Sequence, residues 1–217
     1  MKTFKVLLTM LLISASAVIP THAQFGGLTS MLGGGDVSPQ VADFVQRSVV
    51  LSVLASNSLA KINSAFDNEE ALARRRKEQE ELDKITDPKE KQARASKIYE
   101  SERAEAEKLA KSADLQDRMK NLDADKKKRI GEALFNFTIG ALQAPALLQS
   151  GKNIVQSVGA NPINIVKVLP VKDSLPLLVK IGSDAAGTIA TFVKLAQGAD
   201  ISVPQANAES KPIEEPL

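Results

Sequence analysis

The amino-acid sequence predicts an all-α protein, built as a helical bundle with a protruding, charged antiparallel helical hairpin. Aromatic residues are scarce, with seven Phe, one Tyr and no Trp in 217 residues, whereas strands favour aromatic and β-branched side chains. Ala, Leu, Val, Lys and Glu predominate, a composition typical of helices. Apolar residues also recur every three or four positions along much of the chain, which indicates helices with one buried face.

Residues 1–23 have the pattern of a secretory signal peptide. Lys2 and Lys5 precede an apolar stretch at 6–19, and Thr21-His22-Ala23 offers a small-residue cleavage site. The sequence therefore predicts a periplasmic or secreted protein that is cleaved after Ala23. The alternative is an uncleaved anchor, but the apolar stretch is shorter than the roughly 20 residues that span a bilayer.

Cleavage changes the chemistry that the chain can carry. The full chain has 28 basic and 26 acidic residues, so loss of Lys2 and Lys5 leaves 26 of each. A neutral chain without aromatic residues in its basic clusters disfavours nucleic-acid binding. The single histidine, His22, is also lost, and the chain has no cysteine. These losses exclude Ser-His-Asp and Cys-His catalysis and zinc sites with His or Cys ligands.

We therefore predict a protein that is not an enzyme and carries no cofactor or metal. Two kinds of active site stay open, a pair of carboxylates and a Ser-Lys dyad. The carboxylates occur mainly in charge-dense segments where pairing with Lys and Arg explains them better, and no compact Ser-Lys motif occurs.

Residues 24–37 contain Gly26-Gly27 and Gly33-Gly34-Gly35. Because no Lys-Ser or Lys-Thr follows the second run, a phosphate-binding loop is not indicated. We predict a flexible, glycine-rich leader.

The first helix is predicted to begin at Ser38 as N-cap, with Pro39 at the first helical position. We expect one long helix over 38–85, bent near residue 67. Its first part, 38–66, is apolar on several sides and therefore packs against more than one neighbour. Together with 126–200 it forms an apolar helical lobe, and the helical domain covers 38–200.

Residues 67–125 are predicted to form the charged hairpin. The stretch 67–129 holds 17 acidic and 18 basic residues, so its helices pack along thin apolar stripes and expose the remainder. Thr86-Asp87-Pro88 marks the turn, because Asp87 can cap a helix in which Pro88 is the first residue. The second arm is expected to run from 88 to about 121.

The C-terminal part is predicted to contain three further segments and a tail. A helix near 124–143 is broken or kinked at Pro145 and followed by another to about 158. The run 163–168 is β-branched, so 151–171 is either helical or a short hairpin. The last helix begins at Ser174 as cap and ends at Gly198 as C-cap. Residues 201–217 are predicted to be a disordered tail.

The candidate binding residues belong to two basic clusters near the base of the hairpin. Together they would form a patch that binds an anionic lipid or a polyanion. The clusters comprise Arg74, Arg75, Arg76 and Lys77, and Lys126, Lys127, Lys128 and Arg129. The alternative, which we favour, is that these residues pair with neighbouring Asp and Glu side chains, since charge runs are usually solvated faces.

The chain resembles exported helical proteins of Gram-negative bacteria that have no characterised activity. The resemblance lies in the signal, the glycine-rich leader, the charged middle and the Val/Ala/Gly-rich final helix. It also resembles, more loosely, periplasmic chaperones with charged helical arms, although those are usually strongly basic. We expect an exported protein that binds or scaffolds other envelope proteins; the alternative is a binder of lipid or another hydrophobic ligand at the membrane surface.

Overall fold

The computed structural model describes residues 39–157 and 166–213, and 82% of these residues are helical. The predicted all-α class is confirmed, since no strand occurs within these two ranges. The predicted signal peptide and the predicted glycine-rich leader lie outside the described residues. The helices are α1 (Pro39–Ser64), α2 (Glu69–Lys84), α3 (Pro88–Ala110), α4 (Leu115–Lys120), α5 (Ala124–Ser157), α6 (Leu169–Asp184) and α7 (Ala190–Gly198), and a π-helical turn (Ala185–Ile189) joins α6 to α7.

Helix α1 is the centre of the bundle, packed against α3, α5 and α6. Its apolar residues cover several faces, as the sequence predicted, and Phe44, Ala55, Leu59 and Ile62 are each at most 1% exposed. Burial of such side chains is the main stabilising contribution to a chain without disulfides. The other large, fully buried side chains are Leu82, Tyr99, Leu115, Met119, Ile130, Leu134, Phe137, Ile139 and Phe192.

A glycine allows α1, α5 and α6 to approach closely. A Cβ atom at Gly151 would lie 2.6 Å from the Phe44 ring and 2.7 Å from Leu175. Any larger residue at this position would have to displace side chains from two neighbouring helices. Further along, Gly140 lies opposite Leu54, so α1 and α5 run antiparallel.

The predicted single helix over 38–85 is instead two helices. Asn68 has an extended backbone, and its side chain accepts a hydrogen bond from the Ala71 N–H at 2.9 Å. This cap starts α2 as a new helix after a turn at 65–68. The predicted cap at Asp87 is confirmed, because its side chain accepts from the Glu90 N–H at 2.7 Å and Pro88 begins α3.

The two arms of the hairpin differ in how they pack. Helix α3 lies within the bundle against α1 and buries Ala95, Ile98 and Tyr99, so this arm does not protrude as we expected. Its apolar stripe is sufficient to cover the long apolar face of α1. The arm also ends earlier than predicted, at Ala110. A separate short helix, α4, follows it, and the buried residues of α4 are Leu115 and Met119.

Helix α5 continues through Pro145, so the predicted break at this residue is wrong. Pro145 is exposed, so its ring lies on the solvent side of the helix. The strand proposed for 163–168 lies partly outside the described residues, and Val166 and Lys167 at its end are helical.

The last helix begins earlier than predicted and ends differently. Ser174 is inside α6, where its hydroxyl donates to the Pro170 carbonyl at 2.7 Å, and it is not an N-cap. At the other end the left-handed residue is Asp200, with φ 56°, and not Gly198. The Ile201 N–H bonds to the Ala196 carbonyl at 2.9 Å, which is the hydrogen bond of a Schellman motif.

The C-terminal segment 201–213 was predicted to be disordered, but the structure places it along α5. Ile201 is 4% exposed and belongs to the main core. The side chain of Asn136 on α5 forms two hydrogen bonds with the backbone of Ile213. The polar composition that predicted disorder is compatible with this path because the segment is held largely through its backbone.

Candidate functional site

The first cluster of functional interest surrounds Arg75, a buried arginine on α2. Its side chain is 3% exposed, and its Nε donates to Asp67 at 2.5 Å. The two terminal nitrogens donate to Glu102 and Glu105 on α3. Asn63 on α1 donates to the same Glu102 carboxylate at 2.7 Å. One guanidinium therefore connects α1, α2 and α3, in the forked geometry that suits Arg and not Lys.

This cluster determines the orientation of α2 more than its stability. A buried ion pair gains Coulomb energy but loses hydration energy of similar size, so its net contribution to folding is small. Removing one partner is costly, however, because the remaining charge stays buried. We infer that α2 has a defined position on the bundle although its apolar contacts are few.

The outer surface of α2 is almost entirely charged and accessible. Within α2, which is described along its whole length, the buried residues are Arg75 and Leu82. Eleven of its 16 residues carry a charge, as the helix sequence EEALARRRKEQEELDK shows. The helix thus presents mixed charges over roughly 24 Å of length.

The first predicted basic cluster is divided by the fold. Arg75 points into the protein and is bound by carboxylates, so it is not available to a ligand. Arg74 lies 3.8 Å from Glu105. Arg76 and Lys77 are exposed, and neither has a side-chain ion pair within the two described ranges. The favoured alternative, pairing with acidic residues, therefore describes half of this cluster.

The second basic cluster occupies the first turns of α5. Lys126, Lys128 and Arg129 are exposed, and Lys127 is half-buried. Lys128 pairs with Glu132 at 3.5 Å. The ion pairs of the two clusters are separate: Arg74 and Arg75 pair with carboxylates on α3 and in the turn before α2, whereas Lys128 pairs within α5.

A second polar cluster connects α3 to the end of α6. The Tyr99 hydroxyl donates to the Asp184 carboxylate, and the Arg103 Nε lies 2.7 and 2.9 Å from the two oxygens of the same carboxylate. Tyr99 is 0% exposed. Burial, followed by the hydrogen bond and the negative charge of Asp184, raises the pKa of Tyr99 far above its ordinary value of 10.0. The bond to Asp184 likewise raises the pKa of Arg103.

This arrangement keeps the tyrosine protonated and closed to solvent. Asp184 is the last residue before the π-helical turn, a local widening that often occurs where a helix bends around a functional or packing constraint. Because the hydroxyl is fully buried and bound, it stabilises the contact between α3 and α6. A substrate has no access to it.

A groove lies between the N-terminal half of α1 and the middle of α5. It has a volume of about 350 Å³, and Val50, Leu51, Leu54 and Leu147 provide its apolar lining. Pro212 of the C-terminal segment forms part of one wall. Val50 is 47% exposed, so the groove is open to solvent along α1.

Charged side chains stand at one end of this groove. Asp43 and Arg47 both line it, and their side chains lie 3.7 Å apart, in an exposed pair at helical spacing. Gln143 contributes an amide from α5. An apolar floor with a few polar groups at the rim is the usual composition of a site for an organic ligand or a peptide.

Sequence reasoning missed the buried Arg75 cluster, although the sequence contained a signal for it. Arg75 occupies a core position of its helix, seven residues before Leu82 on the same face. Glu102 continues the stripe of Ile98 and Ala106 on α3 at spacings of four residues. A charged residue in the apolar stripe of each of two adjacent helices predicts that the two charges meet.

No described helix is long and apolar enough to cross a membrane. Within the same residues, no group of three or more acidic, His or Cys side chains is arranged to hold a metal ion. The chain matches no known protein family, no curated protein and no solved structure, so its function is argued from its own residues.

Proposed function

We propose that this chain is an exported, non-enzymatic helical protein that binds other proteins of the cell envelope through the outer face of α2. The observation that carries the proposal is the contrast between the two sides of this helix. A four-residue ion cluster around the buried Arg75 and Glu102 holds the inner side, while the outer side exposes a dense mixture of charges.

Such a helix contributes little apolar burial to the bundle. A rigid charged surface gives a partner of complementary charge both orientation and a faster encounter. The neutral balance of the predicted mature chain favours a patterned protein surface as partner over a uniformly charged polymer. Export is inferred from residues 1–23 and is tested by the N-terminal sequence of the purified mature protein, which we expect to begin at Gln24.

Site-specific photo-crosslinking from α2 tests the proposed surface. A photoreactive amino acid replaces Glu80, which is exposed on α2, in the full chain expressed in its native host. We expect one reproducible protein adduct, lost in the double variant Arg76→Glu/Lys77→Glu. The matched control is Lys172→Glu/Lys194→Glu, which reverses two exposed charges elsewhere.

The proposal is wrong if Glu80 gives no adduct above the background of a probe at Val179, an exposed position on α6. It is also wrong if both charge-reversal variants reduce the adduct equally, because net charge and not the α2 surface would then be responsible. Circular dichroism checks that every variant keeps its helical content.

A second candidate function is binding of a lipid or another hydrophobic ligand, which the groove between α1 and α5 favours. Its four apolar lining residues and its volume of about 350 Å³ suit a short acyl chain. Displacement of an environment-sensitive fatty-acid probe tests this function. Leu54→Arg is expected to abolish probe binding, whereas the exposed apolar substitution Val179→Arg leaves it unchanged.

A further inference from the structure

The C-terminal segment 204–213, here named the tail, follows a path along α5 that few side-chain contacts explain. Most of its side chains are exposed, including Pro204, Ala208 and Pro212. Ile201, three residues before it, is buried in the core. The chain is thus anchored firmly just before the tail, while the tail itself buries little apolar surface.

Amide side chains on α5 hold the tail by its backbone. The Asn136 Nδ2 donates to the Ile213 carbonyl at 2.9 Å, and the Asn136 Oδ1 accepts from the Ile213 N–H at 2.8 Å. One side chain therefore pairs with both backbone groups of one residue, as a neighbouring strand would. Seven residues on, the Gln143 Nε2 donates to the Ala208 carbonyl at 3.1 Å.

These contacts recognise backbone groups and not the side chains of the tail, and between them the tail makes a turn in which the Ser210 N–H donates to the Asn207 carbonyl at 3.1 Å. Asn136 and Gln143 lie on one face of α5, about 10 Å apart. With the tail in place Asn136 is 5% exposed, and departure of the tail would remove both backbone partners of its amide. Peptide-binding proteins use the same principle, in which backbone hydrogen bonds give affinity and nearby pockets give specificity.

The tail also reaches the apolar groove. Pro212, adjacent to the residue that Asn136 holds, lies in the groove with Val50, Leu54 and Leu147. The groove extends beyond Pro212 along α1 towards Asp43 and Arg47. The tail therefore places a proline at the wall of a groove that is otherwise open.

We propose that this face of α1 and α5 is a binding surface for a polypeptide segment of a partner protein, and that the tail occupies it in cis until such a segment replaces it. The segment supplies a free backbone N–H and C=O for Asn136 and a proline or aliphatic residue for the groove. The idea of a protein partner rests on the proposed function, but the surface is separate from α2. An open groove with backbone-reading amides at its edge favours polypeptide over lipid.

Weak attachment makes the tail replaceable. Three hydrogen bonds from two amide side chains attach the ten residues of the tail to α5, in addition to the bonds within its own turn at 207–210. Ordering a flexible segment has a large entropic cost. The short connection from Ile201 compensates for this, because it keeps the tail at a millimolar effective concentration near its site. A partner segment with better apolar contacts competes once its affinity exceeds that advantage.

A cleavable full-length chain tests the proposal. A protease recognition sequence is inserted between Val203 and Pro204, so that cutting the folded protein releases the tail and leaves the Ile201 cap intact. The probe is a fluorescent synthetic peptide of residues 204–213, PQANAESKPI. We expect fluorescence anisotropy to show peptide binding to the cut protein, and binding at least about tenfold weaker to the uncut protein.

Substitutions distinguish specific peptide binding at this surface from non-specific adsorption of the peptide. Asn136→Ala in the cut protein is expected to weaken peptide binding at least about tenfold, through loss of two hydrogen bonds. Gln149→Ala, an exposed amide on the same helix, is the matched control and is expected to have no effect. Asn136→Asp, which keeps the side-chain size but loses the donor, replaces the alanine variant if that variant does not fold. A peptide with serine at both Pro212 and Ile213 is expected to bind more weakly than the natural one.

Several outcomes overturn the proposal. These are absence of peptide binding to the cut protein, equal binding by the cut and uncut proteins, and equal binding by the Asn136 variants. Tail exchange between two copies, seen as a concentration-dependent dimer of the uncut chain, also overturns it, because the surface would then serve self-association. The Arg76→Glu/Lys77→Glu variant is expected to bind the peptide normally, so a failure of the α2 proposal remains distinguishable.

Discussion

Alkaline pH is expected to leave Tyr99 protonated for as long as the protein stays folded. Burial and the Asp184 carboxylate raise the pKa of Tyr99 far above the ordinary value of 10.0. Ionisation in the folded state would place a phenolate in a site with 0% exposure, next to a carboxylate. Arg103 offsets only part of this cost, because it already binds Asp184.

The sign of the pH dependence follows from the direction of this shift. A group whose pKa is raised by folding holds its proton more tightly in the folded state, so its contribution to stability is complete below the unfolded pKa. Above about pH 10 the unfolded chain releases the proton while the folded chain does not. The free energy of unfolding therefore falls by about 1.4 kcal/mol per pH unit from Tyr99 alone.

The assay is unusually specific, because Tyr99 is the only tyrosine in a chain that has no tryptophan. Tyrosinate absorbance near 295 nm therefore reports this residue alone. We expect no tyrosinate signal up to about pH 11 while circular dichroism shows intact helices, and its appearance together with unfolding.

The matched variant Tyr99→Phe removes the ionisable group but keeps the ring. Lysines also titrate at high pH, so the informative quantity is the difference between the two proteins in urea unfolding at each pH. We expect that difference to shift by about 1 kcal/mol between pH 10 and pH 11 in favour of the variant, because half of the unfolded chains still hold the tyrosine proton at pH 10. A tyrosinate signal that rises near pH 10 in the helical protein would refute the reasoning.

Three further predictions concern stability and are measured by urea unfolding. Arg75→Ala is expected to cost about 3–5 kcal/mol, because Glu102 remains buried without its partner; a loss below about 1 kcal/mol would mean that solvent reaches the cluster. Gly151→Ala is expected to lower the free energy of unfolding by about 1–3 kcal/mol through overpacking. The control Gly182→Ala, with no atom within 4 Å of the new Cβ, is expected to raise it by up to about 1 kcal/mol. Equal effects of the two substitutions would contradict the close approach of α1, α5 and α6 at Gly151. Asp200→Gly is expected to raise the free energy of unfolding by about 0.5–1 kcal/mol, because glycine adopts the positive φ of this cap freely. A loss of stability would show that the Asp200 side chain stabilises the fold by more than its left-handed backbone destabilises it.

The sequence predicted those features that depend on neighbouring residues. The all-α class followed from composition and from the three-and-four spacing, and both are local properties of a helix. The cap at Asp87 with Pro88 was equally local, because the cap bonds a donor three residues away. The apolar character of α1 correctly indicated several neighbours, although not which helices they are.

The predictions from sequence were wrong where a residue was compatible with two structural roles, at the end of a helix or inside it. Ser174 resembled an N-cap, but it lies inside α6 and accepts a hydrogen bond from Gln92 on α3 at 2.5 Å. Pro145 resembled a helix breaker, but its exposed position allows α5 to continue. In both cases distant packing selected between alternatives that local chemistry left open.

By itself, the sequence determined that this chain is helical, that its middle is charge-dense and that its N-terminus is typical of an exported protein. Only the tertiary structure showed that Arg75 is buried among three carboxylates, that α3 belongs to the bundle, and that the tail lies along α5 on the Asn136 amide. The physical reason is that helix formation depends on residues within one or two turns, whereas Arg75–Glu102 and Asn136–Ile213 join positions 27 and 77 residues apart. The partner of a buried polar group is decided by which helices pack together.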